Sequence, residues 1–148
     1  MNNAAKPRIL LVEDDPTVQN LVSTALDLHG YVVSKVCNGQ AAIMDAVSHG
    51  PSLIMLDLGL PDIDGIEVIT KIRSWSAVPI IVISARTEDS DKIAALDAGA
   101  DDYLTKPFRV AELRARVAAH LRREQRTPHA RLRRGALDFD LGERAVYW

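Results

Sequence analysis

Short apolar runs alternate with segments of helical periodicity five times between residues 8 and 123. A run of four or five apolar residues without polar alternation is typical of a strand that is buried on both faces. We therefore predict strands over 8–12, 53–57 and 80–84, a second strand in chain order over the β-branched and partly alternating residues 31–36, and a short fifth strand over 102–105. Helices are predicted over 16–29, 39–49, 65–74, 88–98 and 110–123. Strict alternation of strand and helix predicts an α/β fold, with a parallel sheet, helices on both of its faces and right-handed crossovers.

The composition predicts one domain with an aliphatic core. Of the 148 residues, 47% are hydrophobic but only 5% are aromatic, and the net charge of −2 gives no general attraction to nucleic acid or membranes. The single cysteine, Cys37, excludes an internal disulfide and fits a reducing cytoplasm. We find neither a signal-peptide pattern nor an apolar run long enough to span a membrane, so we expect a cytoplasmic protein.

Charged and polar side chains follow four of the five predicted strands. The first strand runs into Glu13 and Asp14, the third ends in Asp57, the fourth ends in Ser84, and Lys106 follows the fifth. The carboxyl ends of parallel strands lie at one edge of the sheet, and ligands bind at that edge in open α/β sheets. We therefore expect these five side chains to converge.

Each of these side chains also has an ordinary structural explanation. Acids are favoured at helix starts, and a single strand-end aspartate is most often a turn-former or a cap, as we expect of Asp15 before Pro16. Three carboxylates at one edge, however, repel each other unless a cation lies among them, and Mg²⁺ with oxygen ligands is the natural one. A carboxylate nucleophile, Mg²⁺, a lysine and a hydroxyl group together predict a site that accepts a phosphoryl group.

Four sequence motifs resemble those of response-regulator receiver domains. They are VEDD, LDLGLPDIDG, SAR and GADDYLTKPF, at residues 12–15, 56–65, 84–86 and 99–108. The match covers residues 8–123 and is most similar to the OmpR/PhoB subfamily, and residues 75–79 and 89–104 are similar to its potassium-responsive members in particular. The resemblance implies a flavodoxin-like receiver, which is a five-stranded doubly wound parallel sheet in the order 2-1-3-4-5 with five helices.

The resemblance also implies a role for each residue at the sheet edge. Asp57 would be the phospho-acceptor for a sensor histidine kinase, and Lys106 and Ser84 would bind phosphoryl oxygens. The Mg²⁺ ligands implied by the resemblance are Asp14, Asp57, the backbone carbonyl of Gly59 and, through water, Glu13.

A switch and a dimer are further implications of the resemblance. Ser84 would move toward the phosphate and let Tyr103 turn inward, which would reshape the face formed by the fourth helix, fifth strand and fifth helix. In the OmpR/PhoB subfamily this face forms a two-fold dimer through charge pairs. The pairs implied here are Lys92 with Glu112, Asp101 with Arg116 and Asp102 with Arg123. We therefore expect a homodimer on phosphorylation.

The sequence changes character after residue 123. Residues 124–134 are polar and basic and predict a linker, and residues 135–148 alternate as two short strands. The latter resemble the truncated start of a winged-helix DNA-binding effector domain. The resemblance thus implies a receiver over 1–123 and a transcription regulator that binds promoter DNA only through a C-terminal domain missing from this chain.

Two other functions remain open. An aspartyl-phosphate phosphatase of the haloacid dehalogenase type has a second aspartate two residues after its nucleophile, where this chain has Gly59. We therefore expect no enzyme, apart from catalysis of the chain's own phosphorylation and slow dephosphorylation. A stand-alone receiver that acts as a phosphorelay module is the other alternative, and the C-terminal tail argues weakly against it.

Overall fold

Strands and helices alternate from residue 8 to residue 126. The computed structural model describes residues 6–126, and the side chains of residues 6–123. The strands are β1 Arg8–Val12, β2 Val32–Val36, β3 Leu53–Asp57, β4 Ile80–Ser84 and β5 Asp102–Thr105. The helices are α1 Pro16–Leu28, α2 Gly39–His49, α3 Gly65–Arg73, α4 Asp89–Ala98 and α5 Val110–Arg126. The predicted α/β alternation is confirmed.

All five strands belong to one parallel sheet in the order β2-β1-β3-β4-β5. Val12 of β1 lies beside Leu56 of β3, and Asp57 of β3 lies beside Ile83 of β4. The order implied by the resemblance is therefore confirmed. Because the strands are parallel and in close register, their carboxyl ends meet at one edge of the sheet.

Two apolar layers hold this sheet between the helices. Successive strand residues point to opposite faces, so Ile54 packs on one side and Met55 on the other. The first layer includes residues of β1, β3, α2, α3 and α4, namely Leu10, Val12, Ile54, Leu56, Ala42, Val68, Ile69 and Ala95. The second includes residues of β1, β3, α1 and α5, namely Ile9, Leu11, Leu53, Met55, Val22, Leu26, Leu113 and Val117. Each buried Val, Leu or Ile contributes about 1.5–3 kcal/mol relative to exposure, so these two layers stabilise the sheet whose edge carries the charged residues.

Side-chain caps determine where three of the helices begin. Asp15 accepts a hydrogen bond from the backbone N–H of Thr17 at 2.9 Å, as predicted from its place before Pro16. Asn38 accepts from Ala41 at 2.8 Å, and Asp64 accepts from the first turn of α3 at 2.9 Å. These caps satisfy N–H groups that have no partner within the helix.

Helix α5 differs most from its predicted bounds. It continues to Arg126, three residues past the predicted receiver boundary, because Glu124, Gln125 and Arg126 are good helix formers despite their polarity. The rest of the predicted linker and the predicted winged-helix fragment lie outside the described residues. Among the described residues, the helices are too short or too polar to cross a membrane.

Candidate functional site

The two acids that follow β1 have different environments. The backbone N–H of Glu13 donates to the carbonyl of Val36 at 3.1 Å, so the chain stays paired with β2 one residue beyond the strand. The Glu13 carboxylate is buried and accepts from the backbone N–H of Asp15 at 3.1 Å. Asp14 is exposed. One carboxylate therefore lies inside the sheet edge, and its neighbour faces solvent.

Asp57 ends β3 at the bottom of the site. Its side chain is only 9% exposed, and its Oδ1 accepts from the backbone N–H of Gly59 at 3.2 Å. A Cβ at Gly65 would lie 2.6 Å from the Cα of Leu58 and 2.9 Å from the carbonyl oxygen of Asp57. Only glycine therefore lets α3 begin so close to the phospho-acceptor candidate.

Lys106 lies between two of the carboxylates. Its Nζ is 3.0 Å from Oε1 of Glu13 and 3.4 Å from Oδ2 of Asp57. Its backbone N–H donates to the carbonyl of Ser84 at 2.7 Å, which holds the lysine beside the end of β4. The ammonium group thus partly compensates the negative charge of the site.

Burial and charge act in opposite directions on this cluster. Burial raises the pKa of Glu13 and the nearby Asp57 charge adds to this effect, although the contact with Lys106 opposes it. Burial alone would lower the pKa of Lys106, but the two carboxylates outweigh it and raise that pKa above its ordinary value. Lys106 is therefore charged at neutral pH.

The donor set fits a hard divalent cation. Glu13, Asp14 and Asp57 each offer one carboxylate oxygen, and these three oxygens lie within 4.8 Å of one another. Three carboxylates around one ammonium group carry a formal excess of negative charge, and Mg²⁺ prefers such oxygen ligands. The structure therefore brings together the predicted carboxylate ligands, with Gly59 two residues from Asp57.

Ser84 and Tyr103 meet at a residue that the sequence analysis did not single out. The buried Ser84 hydroxyl accepts from the backbone N–H of Arg86 at 3.0 Å, and the Tyr103 hydroxyl donates to the Arg86 carbonyl at 3.0 Å. The Arg86 guanidinium also lies 3.5 Å from a carboxylate oxygen of Asp64 and 4.0 Å from one of Asp91. Arg86 is the last residue of the SAR motif, and that motif is the sequence signal that could have identified it.

The predicted dimer residues have contacts within their own chain. Arg116 pairs with Asp102 at 2.6 Å and with Glu112 at 3.1 Å. The Asp101 side chain is 2% exposed and pairs with Arg73 at 2.9 Å. The predicted contacts between chains, including those of Lys92 and Arg123, stay predictions, and Asp101 and Arg116 could join them only by changing these contacts.

Comparisons with known proteins agree with this architecture. A family model described as response regulator receiver domain matches residues 9–118. The chain is 48% identical over 141 residues to the KDP operon transcriptional regulatory protein KdpE of Escherichia coli K12, an alignment that covers 94% of this chain and 63% of that protein. It is 43% identical over 132 residues to KdpE of Mycobacterium tuberculosis, with 89% and 58% covered.

A solved structure gives the same result in three dimensions. The BeF3-activated N-terminal receiver domain of Klebsiella pneumoniae RstA has a TM-score of 0.75 and 34% identity, with 78% of this chain and 98% of that chain covered. The chain thus covers nearly all of a receiver domain but less than two thirds of the two KdpE regulators. Both the implied family and the closer similarity to KdpE are confirmed, and this chain belongs to the response regulator receiver domain family.

Proposed function

We propose that Asp57 accepts a phosphoryl group from a sensor histidine kinase, and that this modification controls a transcriptional output. The observation that carries the proposal is the placement of Asp57 at the end of β3, 3.4 Å from Lys106 and close to Glu13 and Asp14. Lys106 and two further carboxylates thus surround the largely buried Asp57 at the carboxyl edge of the sheet, the edge at which ligands bind in open α/β folds.

The proposed reaction transfers one phosphoryl group. A carboxylate oxygen of Asp57 forms a bond to phosphorus while the bond between phosphorus and the imidazole nitrogen of the kinase phosphohistidine breaks. The imidazole leaves with the electron pair and takes up a proton, and Asp57 becomes an acyl phosphate. Lys106, which is charged at neutral pH, stabilises the negative phosphoryl oxygens.

The carboxylates and one backbone carbonyl would hold the metal that this reaction needs. Asp14, Asp57 and the carbonyl of Gly59 would bind Mg²⁺ directly, and Glu13 would act through water. When bound, Mg²⁺ neutralises charge on the oxygens of the transferred group. Lys106 and the fixed backbone of β3 orient the acceptor carboxylate.

Arg86 supports a route from the phosphorylated site to the surface. Ser84 would give up its contact with the Arg86 N–H and bind a phosphoryl oxygen. Because the Arg86 carbonyl accepts from the Tyr103 hydroxyl, a shift of this residue reaches β5 directly. The proposed result is a homodimer through α4, β5 and α5. This homodimer controls a DNA-binding region and, by analogy with KdpE, the transcription of potassium transport genes.

Phosphorylation of the whole chain tests the proposed function. The protein is incubated with a small acyl phosphate and Mg²⁺, and its intact mass is followed with time. We expect the wild type and Asp27→Asn, a control on the exposed side of α1, to gain one hydroxylamine-labile phosphoryl group. Asp57→Asn should gain none, and removal of Mg²⁺ should slow the wild type strongly.

The assignment has a clear failing result. If Asp57→Asn gains a hydroxylamine-labile phosphate at the wild-type rate, Asp57 is not the acceptor.

A further inference from the structure

The loop between β3 and α3, residues 58–64, is fixed at both its base and its tip. At the base, the backbone N–H of Gly65 donates to the carbonyl of Leu58 at 3.0 Å. At the tip, the two carboxylate oxygens of Asp62 accept from consecutive backbone N–H groups of α2, those of Gly39 at 2.8 Å and Gln40 at 2.9 Å. The loop that carries Gly59 is thereby attached to a helix more than twenty residues earlier in the chain.

The contact between Asp62 and α2 is charged and directional. The N–H groups of Gly39 and Gln40 are at the N-terminus of α2, where they have no partner within the helix. They lower the pKa of Asp62 below its ordinary value, so its carboxylate is ionised at neutral pH. Asn38 satisfies a different N–H group of the same helix, that of Ala41. Asp62 of the loop and the local cap Asn38 therefore accept hydrogen bonds from different N–H groups in the first turn of α2.

Apolar packing strengthens the same attachment. A Cβ at Gly39 would lie 2.4 Å from Cγ1 of Ile63 and 2.9 Å from Cγ2 of Val68. Glycine therefore lets the loop tip come into direct contact with the start of α2. Ile63 and Leu60 also pack against the apolar layer that lies under α2 and α3.

The segment between the two fixed points includes Gly59, whose backbone contacts Asp57. Gly59 and Pro61 are exposed, and a Cβ at Gly59 would meet nothing within 4 Å. The backbone N–H of Gly59 nevertheless contacts Oδ1 of Asp57, and its carbonyl is a proposed metal ligand. Because little packs against Gly59, its position depends on the ends of the loop.

We propose that Asp62 is a positioning residue for phosphoryl transfer, because it holds the loop on α2 and thereby holds Gly59 beside Asp57. This inference rests on the proposed function. It differs from a purely structural cap in one respect: loss of Asp62 should impair metal-dependent phosphorylation, whereas loss of the local cap of α2 should not.

Three variants of the whole chain separate these roles. Asp62→Ala removes both acceptors, Asp62→Asn keeps one acceptor oxygen, and Asn38→Ala removes the local cap of the same helix without altering the loop contact. The phosphorylation rate with a small acyl phosphate is measured as a function of Mg²⁺ concentration, and urea unfolding of each variant records its stability.

The expected results differ in rate and in Mg²⁺ dependence. Asp62→Ala should be phosphorylated about tenfold more slowly, because small displacements near reacting groups have large effects on rate. It should also need more Mg²⁺ for its half-maximal rate, since the Gly59 carbonyl is displaced. Asp62→Asn should lie between Asp62→Ala and the wild type, and Asn38→Ala should keep the wild-type rate and Mg²⁺ dependence although it unfolds in less urea.

Several outcomes would overturn the inference. Wild-type rate and Mg²⁺ dependence in Asp62→Ala would show that the contact has no role in the chemistry. Equal slowing in Asn38→Ala would show that only the stability of α2 matters. If Asp62→Ala does not fold, Asp62→Asn decides by the same criteria. Failure of the proposed function is distinguished by the wild type itself, which would then gain no phosphate, or by an Asp57→Asn variant that gains it equally.

Discussion

The buried carboxylate of Glu13 is paired with a lysine that lies far from it in sequence. Its side chain is fully buried, and burial raises its pKa, while Lys106 at 3.0 Å opposes that rise. Buried carboxylates without a partner are costly to the folded state. Lys106 therefore has a role in stability as well as its proposed role in phosphoryl transfer.

We expect Lys106→Met to lower the free energy of unfolding at neutral pH, because Glu13 and Asp57 lose their cation. The folded-state pKa of Glu13 is already above 4.5 and should rise further without Lys106. The folded protein then takes up a proton before the unfolded chain does, so the loss of stability should shrink as the pH falls from neutral toward 4.5. Urea unfolding followed by circular dichroism, without added Mg²⁺, measures this difference across the pH range.

A second substitution provides the control for that measurement. Glu13→Gln in the Lys106→Met protein should reduce the pH dependence of the stability, because the Glu13 carboxyl is then absent. A loss of stability in Lys106→Met that is equal at neutral pH and at 4.5 would rule out Glu13 as its cause.

The contact between β5 and α5 centres on one partly buried aspartate, Asp102. Asp102 accepts from Arg116 at 2.6 Å, lies 3.1 Å from Nε2 of His120 and accepts from the backbone N–H of Tyr103 at 2.9 Å. Burial would raise the pKa of Asp102, but the contacts with His120 and Arg116 outweigh it and lower that pKa. The aspartate thus holds α5 on β5, an edge strand of the sheet.

We expect Asp102→Asn to destabilise the protein by about 2 kcal/mol, a value within the range for hydrogen bonds to a charged group. The matched control is Glu112→Gln, since Glu112 contacts the same arginine at 3.1 Å but its side chain is 46% exposed. An exposed pair contributes only about 0–1 kcal/mol. Because the pKa of Asp102 is lowered in the folded protein, its carboxylate should contribute to stability above pH 3.8. This contribution should be lost as the pH falls through the folded-state pKa.

Urea unfolding of the two variants at neutral pH and in acid decides this prediction. Equal losses in Asp102→Asn and Glu112→Gln would mean that burial of the β5–α5 contact adds nothing to its strength.

At the scale of the whole molecule, the face formed by α4, β5 and α5 combines apolar and charged groups. Ile93 and Leu96 of α4 are 58% and 46% exposed, so α4 presents two large aliphatic side chains on this face. Lys92 precedes them, and Glu112 lies on α5. Such a face fits the predicted two-fold association of phosphorylated chains, in which each contact occurs twice.

We expect Lys92→Glu to weaken dimerisation of the phosphorylated or BeF3-activated protein about tenfold, because two exposed pairs of about 0–1 kcal/mol each become repulsive. Glu112→Lys in the same chain should restore dimerisation in part, since it also disturbs the contact between Glu112 and Arg116. Sedimentation velocity gives the dimer constants. Lys35→Glu, on β2 at the opposite edge of the sheet, is the control and should dimerise normally.

Equal dimer constants for the wild type and Lys92→Glu would remove Lys92 from the interface, and the charges of this face would then be solvated surface groups.

Local sequence by itself determined the elements of this protein and the residues at their ends. Periodicity of 2 or 3.6 residues depends on neighbours within a few positions, so the strands, the helices and the cap at Asp15 could be predicted from the chain alone. Parallel alternation also indicated that Glu13, Asp14 and Asp57 would share one sheet edge. The order of the strands came only from the resemblance to a family.

Only the tertiary structure decided which of these groups touch. Lys106 and Asp57 are 49 positions apart, Arg73 and Asp101 are 28 apart, and Asp62 lies 23 positions after Gly39. Asp101 was predicted at a dimer surface, yet Arg73 and the backbone N–H of Ile80 hold its carboxylate inside the chain. Such contacts depend on how the helices pack on the sheet, and the local periodicity of the sequence does not predict that packing. The attachment of the 58–64 loop to α2 could therefore be found only in the tertiary structure.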